Sequence, residues 1–218
     1  MDLVKARKAM VDSQVRPNDV PDVRIQQAME TVPRELFVPA NRQSLAYVEK
    51  DVPLFEGRWL LKARDFSKLL HAARIKETDL VLDVGCGLGY STAIAAHLGS
   101  VVVGVEEEED KVTKAAEALS DLGLDNAAVM QAPLADGVAK QGPYDVIVVA
   151  AGVEDNLDTL RGQLSEEGGR LVTIIVENGV GHATLITRHG DAFGDRRVFE
   201  AHPAGTLPGF EKTPAFVF

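Results

Sequence analysis

The stretch VLDVGCGLGY, Val81 to Tyr90, decides how this chain is read. An apolar run of strand length enters three alternating glycines, and a helical pattern, STAIAAHLG, follows at once and is stopped by Gly99. Glycine permits a tight turn and lets a ligand approach the backbone closely. The helix end behind it adds N–H groups that have no partner within the helix. Beyond the helix, SVVVGVE is a second apolar run closed by an acid, Glu106. A carboxylate about 20 residues past such a loop accepts both hydroxyls of a ribose in nucleoside-binding α/β folds.

The details of the loop select among nucleosides. The dinucleotide fingerprint needs glycine at its first, third and sixth positions, so that a pyrophosphate rests on the helix N-terminus. Here the sixth position is Tyr90, and the third glycine comes early, at Gly89. Asp83, two residues ahead of the loop, repels a pyrophosphate but suits an ammonium group. S-adenosylmethionine (SAM) carries an ammonium, a sulfonium and no phosphate, so Asp-x-Gly-x-Gly-x-Gly with a downstream acid favours it. A purely structural glycine turn and a nicotinamide or flavin site are the competing readings.

From residue 79 onward, short apolar runs alternate with helical stretches: DLVLDVG, SVVVGVE, NAAVMQA, YDVIVVAA and RLVTIIVE as strands, with DKVTKAAEALSDLG and NLDTLRGQLSEEGG among the helices. That rhythm means βαβ units and a parallel sheet. The fourth run is apolar nearly throughout, as in a strand covered on both faces. Ahead of this region, helices are expected over Asp2 to about Val11, over Asp22 to Thr31 with Asp19 or Asp22 as cap, and over Arg64 to Ala73. Pro33 and Pro39 make PRELFVP an extended connection. Residues 54–66 read as loop. After residue 179, two strands are expected around Gly190–Asp191 and Gly194–Asp195, with a last apolar strand in LPGFEKTPAFVF.

Composition narrows the class. The 218 residues suffice for one core, with 45% hydrophobic and 26% charged residues as in ordinary globular domains. A net charge of −10 argues against a nucleic-acid partner, which needs basic patches. No run has the length of a membrane span, and the N-terminal residues lack a signal peptide's apolar core. A single cysteine, Cys86, excludes an internal disulfide. The five histidines show no metal-ligand spacing, so no metal is expected. These features fit a cytoplasmic protein.

AMETVPRELFVP with Ala46–Tyr47, VLDVGCGLGY, PYDVIVVAA (143–151) and QLSEEGGRLV (163–172) together resemble the protein-L-isoaspartate O-methyltransferase family. The VPRELFVP element is distinctive of that family; the others are shared by most SAM-dependent methyltransferases. The resemblance implies an α/β fold with a doubly wound, mostly parallel seven-stranded sheet of the class I SAM-dependent methyltransferase, Rossmann-like type. N-terminal helices and an antiparallel C-terminal portion complete it. The chain is expected to form one domain over 1–218, with a helical and lid segment (1–75), a SAM-binding core (76–178) and C-terminal strands (179–218). The activity implied is methylation, from SAM, of an isoaspartyl carboxylate on damaged protein, leaving S-adenosylhomocysteine (SAH).

By resemblance, the cofactor contacts are Asp83, Gly85, Cys86, Gly87, Gly89 and Tyr90 along the loop, and Glu106 with Glu107 at the end of the next strand. Ala132, Pro133 and Leu134 follow beside the adenine. The family's Gly-Asp-Gly there would put its aspartate on Pro133, with Asp136–Gly137 as a shifted equivalent. The family also carries Gly-x-Gly-Gln-Thr-Ile-Ser at its methyl-transfer site. Aligned on Pro53 and Gly57, this chain has Arg58, Trp59, Leu60 and Leu61 in place of Gln-Thr-Ile-Ser. Both hydroxyls are gone. No catalytic side chain is assigned, and these four residues are the candidate substrate pocket. An arginine binds carboxylates bidentately and a tryptophan supplies an aromatic wall; the competing reading of Trp59 is packing of the N-terminal helices onto the sheet. The changed lid also leaves open a different methyl acceptor, or a SAM-binding module without catalysis. The oligomeric state is not legible.

Overall fold

A computed structural model describes residues 2–212. Its centre is a sheet of β3 (Leu80–Val84), β4 (Val101–Glu106), β5 (Ala127–Gln131), β6 (Val146–Val153), β7 (Glu167–Glu177), β8 (Val180–His189) and β9 (Ala192–Ala201). The strand order is β5-β4-β3-β6-β7-β8-β9. The strands from β5 to β7 run parallel, and β8 and β9 fold back antiparallel. The order reverses between β3 and β6, and in open α/β sheets ligands bind outside the carboxyl ends of the strands at such a switch point. The glycine loop leaves β3 at that place.

Alternation along the strands serves two cores. Val81, Val102, Val146, Val148, Val172 and Ile174 face one side, packed by α1 (Leu3–Met10), α2 (Val23–Thr31), α3 (Ala63–Ala73) and α4 (Tyr90–Ala96). Leu82, Val84, Val103, Val105, Ile147 and Val149 face the other. That second face is covered by Leu134, Tyr144, the single-turn α6 (Asp158–Gly162) and a C-terminal segment carrying Leu207 and Phe210. The remaining helix, α5 (Glu109–Asp121), packs on β4 and β5.

The N-terminal helices form where their caps predict. Asp2 and Asp22 each accept a backbone N–H of the first turn. Four expectations need correction. Residues 52–60 are a β-hairpin, β1 (Val52–Phe55) and β2 (Arg58–Leu60), turned by Glu56 and by Gly57 at φ +68°. Arg34–Phe37 is a 3-10 turn, because Pro33 can precede a helical turn and four residues before Pro39 suffice for one. The helix expected over residues 156–169 shrinks to α6, and β7 begins earlier, at Glu167. The β8–β9 turn is at Gly190–Asp191 alone; Gly194 lies inside β9. The last apolar strand expected in the tail falls on residues 213–218, outside the described residues. Among the described residues, no helix is long and apolar enough to cross a membrane.

Candidate active site

The floor of the site is the turn from β3 into α4. Gly85, at φ +74°, adopts a backbone that an L side chain rarely takes. Four of the loop's amides are already bonded: Gly85 and Cys86 donate to the Val105 carbonyl, Gly87 to Glu106 Oε2, and Gly89 to the Cys86 carbonyl. Such a loop is a wall rather than an anion cup, which suits a ligand without phosphate.

Two acids flank this wall. Asp83 is buried; its Oδ2 accepts the Ser91 and Thr92 hydroxyls, each at 2.6 Å, while Oδ1 is buried with no partner. Burial pushes the Asp83 carboxyl up to about 6, against the Ser91 and Thr92 hydrogen bonds and the nearby Arg58 charge, with Glu106 adding to the rise. Glu106, 1% exposed, ends β4. Its Oε1 accepts the Glu107 N–H at 2.9 Å and Arg58 Nη1 at 2.6 Å. Glu107 reaches across to the Leu134 N–H, and the Glu106 carbonyl accepts the Ala132 N–H. Glu106, Glu107 and residues 132–134 are therefore one continuous rim.

The roof is the β1–β2 hairpin together with residues 203–207. A side chain added at Gly85 would meet Leu207 at 3.0 Å and Arg58 Nη2 at 3.1 Å; one added at Gly87 would meet Leu54 at 2.9 Å. The Trp59 ring lies over Gly205, where an added Cβ would come within 2.6 Å. Trp59 thus packs on the C-terminal segment. Asp51 ties the two parts of the roof together by accepting the Lys62 and Ala204 N–H groups. Under this roof, beside Gly85, two cavities of about 20 Å³ each remain, room for about one water apiece.

Residues 5–200 match the family model described as Protein-L-isoaspartate(D-aspartate) O-methyltransferase. The chain belongs to this methyltransferase family. Among relatives, a protein-L-isoaspartate O-methyltransferase of Koribacter versatilis is 37% identical over 166 residues, covering 76% of this chain and 74% of the relative. One of Roseiflexus castenholzii is 31% identical over 198 residues, covering 91% and 90%. In fold, the chain is similar to a solved protein-L-isoaspartate O-methyltransferase, with a TM-score of 0.79 at 22% identity over 94% of this chain and 67% of that one. It is also similar to a putative enzyme of that name from Plasmodium falciparum in complex with SAH, with a TM-score of 0.76 at 21% identity over 92% and 97%. The sheet is accordingly that of a class I methyltransferase.

Of the methyltransferase residues expected from sequence, the fold brings Asp83, Gly85, Gly87, Glu106, Glu107 and residues 132–134 to one end of the sheet. Gly89 lies at the far side of the loop, close to Ala115. Cys86 turns under the loop toward Thr92 and Gly104, and burial raises its thiol well above the usual range. Tyr90 points into the core: its ring meets Phe37 and Phe66, with the Arg34 guanidinium 4.7 Å above it. Gly137 packs on Leu160 and Gln163, fixing the Asp136 turn to α6. Arg58 and Trp59 do roof the loop, and Leu60 and Leu61 line one of the small cavities.

Sequence reasoning missed four participants. Ser91 and Thr92 hold Asp83; two hydroxyls in the first turn behind the loop were the available signal. Asp51 and Leu207 act only across the fold, and no local pattern marks them. The acids themselves fit a SAM-type ligand. The unpartnered Asp83 oxygen can take an ammonium, and Glu106 can take ribose hydroxyls once Arg58 is out of the way.

Proposed function

We propose that this chain transfers the methyl group of SAM to the free carboxylate of an isoaspartyl residue in damaged protein. The observation that carries the reading is the match of residues 5–200 to one methyltransferase family. The arrangement of Asp83, Gly85 and Glu106 at the sheet's switch point supports it. A different acceptor and a non-catalytic module are both less favoured by a family match of that length.

In this reading Asp83 holds the ammonium of the donor, Glu106 the ribose, and the rim of Glu107 with Ala132, Pro133 and Leu134 lies beside the adenine. SAM supplies an electrophilic methyl on a sulfonium. The carboxylate oxygen forms the new O–C bond while the C–S bond breaks, its electron pair staying on sulfur. No proton moves. A carboxylate is ionised at neutral pH, so the protein need only place it in line and exclude water. The lost hydroxyls of the family's lid are then no bar to reaction: Arg58, Trp59, Leu60 and Leu61 provide an apolar enclosure with one cation. One cysteine and the acidic surface fit a cytoplasmic protein acting on other proteins rather than on nucleic acid.

The test is incubation with labelled SAM and an isoaspartyl peptide beside its aspartyl counterpart. Base-labile label on the first alone is the expected result. Binding of SAH without transfer to the isoaspartyl peptide would refute the acceptor.

A further inference from the structure

The counting of lone pairs at Glu106 sets Arg58 against the cofactor. A carboxylate offers about four acceptor positions, two on each oxygen. Oε1 takes Arg58 Nη1 and the Glu107 N–H; Oε2 takes the Gly87 N–H. One position remains, and a ribose diol needs two. The guanidinium also lies on Gly85, on the face of the loop that a ligand must approach. Arg58 and a ribose therefore exclude one another at Glu106.

Displacement leaves Arg58 in need of a new partner. Its side chain is 6% exposed in the pair, and a buried cation without an anion is costly. Asp51, the other charged residue lining the cavity, has its two oxygens engaged by the Lys62 and Ala204 amides. Among the described residues lining the two cavities beside Gly85, Arg58 is the only cation. The arriving acceptor is a carboxylate, the anion that a guanidinium binds with two parallel hydrogen bonds.

We propose that Arg58 exchanges partners during the reaction cycle: it holds Glu106 before the cofactor binds and the acceptor carboxylate afterwards. Arg58 is then both the latch of the roof and the acceptor-binding residue, and acceptor binding depends on prior cofactor binding. The acceptor half rests on the function proposed above; the latch half stands without it.

The experiment compares the wild type with Arg58→Met and Arg58→Lys. Calorimetric titration with SAH reads the latch. The Arg58→Met protein is expected to bind SAH at least 10-fold more tightly than wild type, since no cation competes for Glu106. An unchanged or weaker affinity in a variant with a native circular-dichroism spectrum would overturn the latch. The chain's one tryptophan gives a second reading in wild-type protein, needed if the variant fails to fold. Saturating SAH should shift Trp59 emission as the roof leaves Gly205, and a constant spectrum would also overturn the latch. The acceptor half is read in KM for an isoaspartyl peptide: raised at least 10-fold in Arg58→Met with a smaller change in kcat, and partly restored in Arg58→Lys. A KM equal to wild type would overturn it. Wild type that binds SAH yet methylates no isoaspartyl peptide would remove the functional reading and the acceptor half together, leaving the latch to be judged on the SAH titration alone.

Discussion

The floor and the roof of the site are built by different kinds of interaction. The floor runs through β3, the glycine loop, α4 and β4, and its partners are close in sequence: Asp83 with Ser91 and Thr92, Glu106 with Gly87 and Glu107. The roof is assembled from the two ends of the chain. Arg58 meets Glu106, Trp59 meets Gly205, and Asp51 meets Ala204. A floor of local contacts can keep its shape while the roof moves. A roof held by one ion pair, one stacked ring and a few amide bonds can be lifted when a single member is displaced.

The sharpest way to break that contrast is to remove the residue both regions share. Glu106→Ala takes an acceptor from the Gly87 and Glu107 amides and leaves Arg58 as an unpaired buried cation. Loss of one partner of a buried ion pair costs about 3–5 kcal/mol, and the drop should show in urea unfolding. SAH affinity should fall roughly 100-fold, the equivalent of one or two hydrogen bonds to a charged group. Arg58→Met in the same background should restore part of the stability and none of the affinity. An intact SAH affinity in Glu106→Ala would remove the ribose from Glu106 altogether.

The same division explains what could be read from sequence. The parallel sheet follows from alternating apolar runs and helices, and the ligand end of it from Gly85, Asp83 and Glu106, because strand period, glycine turns and a strand-terminal acid are all short-range signals. The hairpin has none of comparable strength. Its strands are three and four residues long, Pro53 sits in one, and only Glu56–Gly57 marks a turn. Its ion pair reaches Glu106, 48 positions away, so its sequence reads as loop. The same limit hid the burial of Tyr90: position in a motif places its backbone, while Phe37, Phe66 and Arg34 decide where its ring goes. α6 was overestimated because NLDTLRGQLSEEGG has helical composition, yet Leu164 is drawn into a strand-like bridge with Tyr144 instead.

A smaller change probes the roof alone. Gly205→Ala places a methyl where the Trp59 ring stands, so ring or segment must shift, at a cost of about 1–3 kcal/mol for overpacking. Thermal unfolding should register that as a fall in Tm of a few degrees. The double variant with Trp59→Leu should recover most of it, giving a coupling energy between the sites of roughly 0.5–3 kcal/mol. Because SAH binding parts this same contact, the strain should also ease the opening of the roof and raise the affinity for SAH several-fold. Additive losses in the double variant would mean that Trp59 and Gly205 do not bear on one another.

The slightest effect isolates the floor. Burial raises the Asp83 carboxyl from 3.8 to about 6, the Ser91 and Thr92 hydroxyls and Arg58 restraining the rise and Glu106 adding to it. A carboxyl raised on folding favours the folded state while it is protonated. That contribution is complete below 3.8 and is lost as the pH climbs toward about 6. At neutral pH the ionised Asp83 is therefore a burden on the fold, so Asp83→Asn, which still accepts the two hydroxyls, should resist urea better than wild type at pH 7. Ligand affinity should move in the opposite sense. The ammonium of SAH needs the ionised carboxylate, so wild-type affinity should fall below about pH 6, approaching tenfold per pH unit, while Asp83→Asn binds weakly with no such slope. A residue whose replacement strengthens the fold and weakens the ligand is there for the ligand; one whose replacement weakens both is packing. If Asp83→Asn lost stability at pH 7 and wild-type affinity stayed level from pH 7 to 5, Asp83 would belong to the second kind, and the ammonium would have to be held elsewhere on the floor.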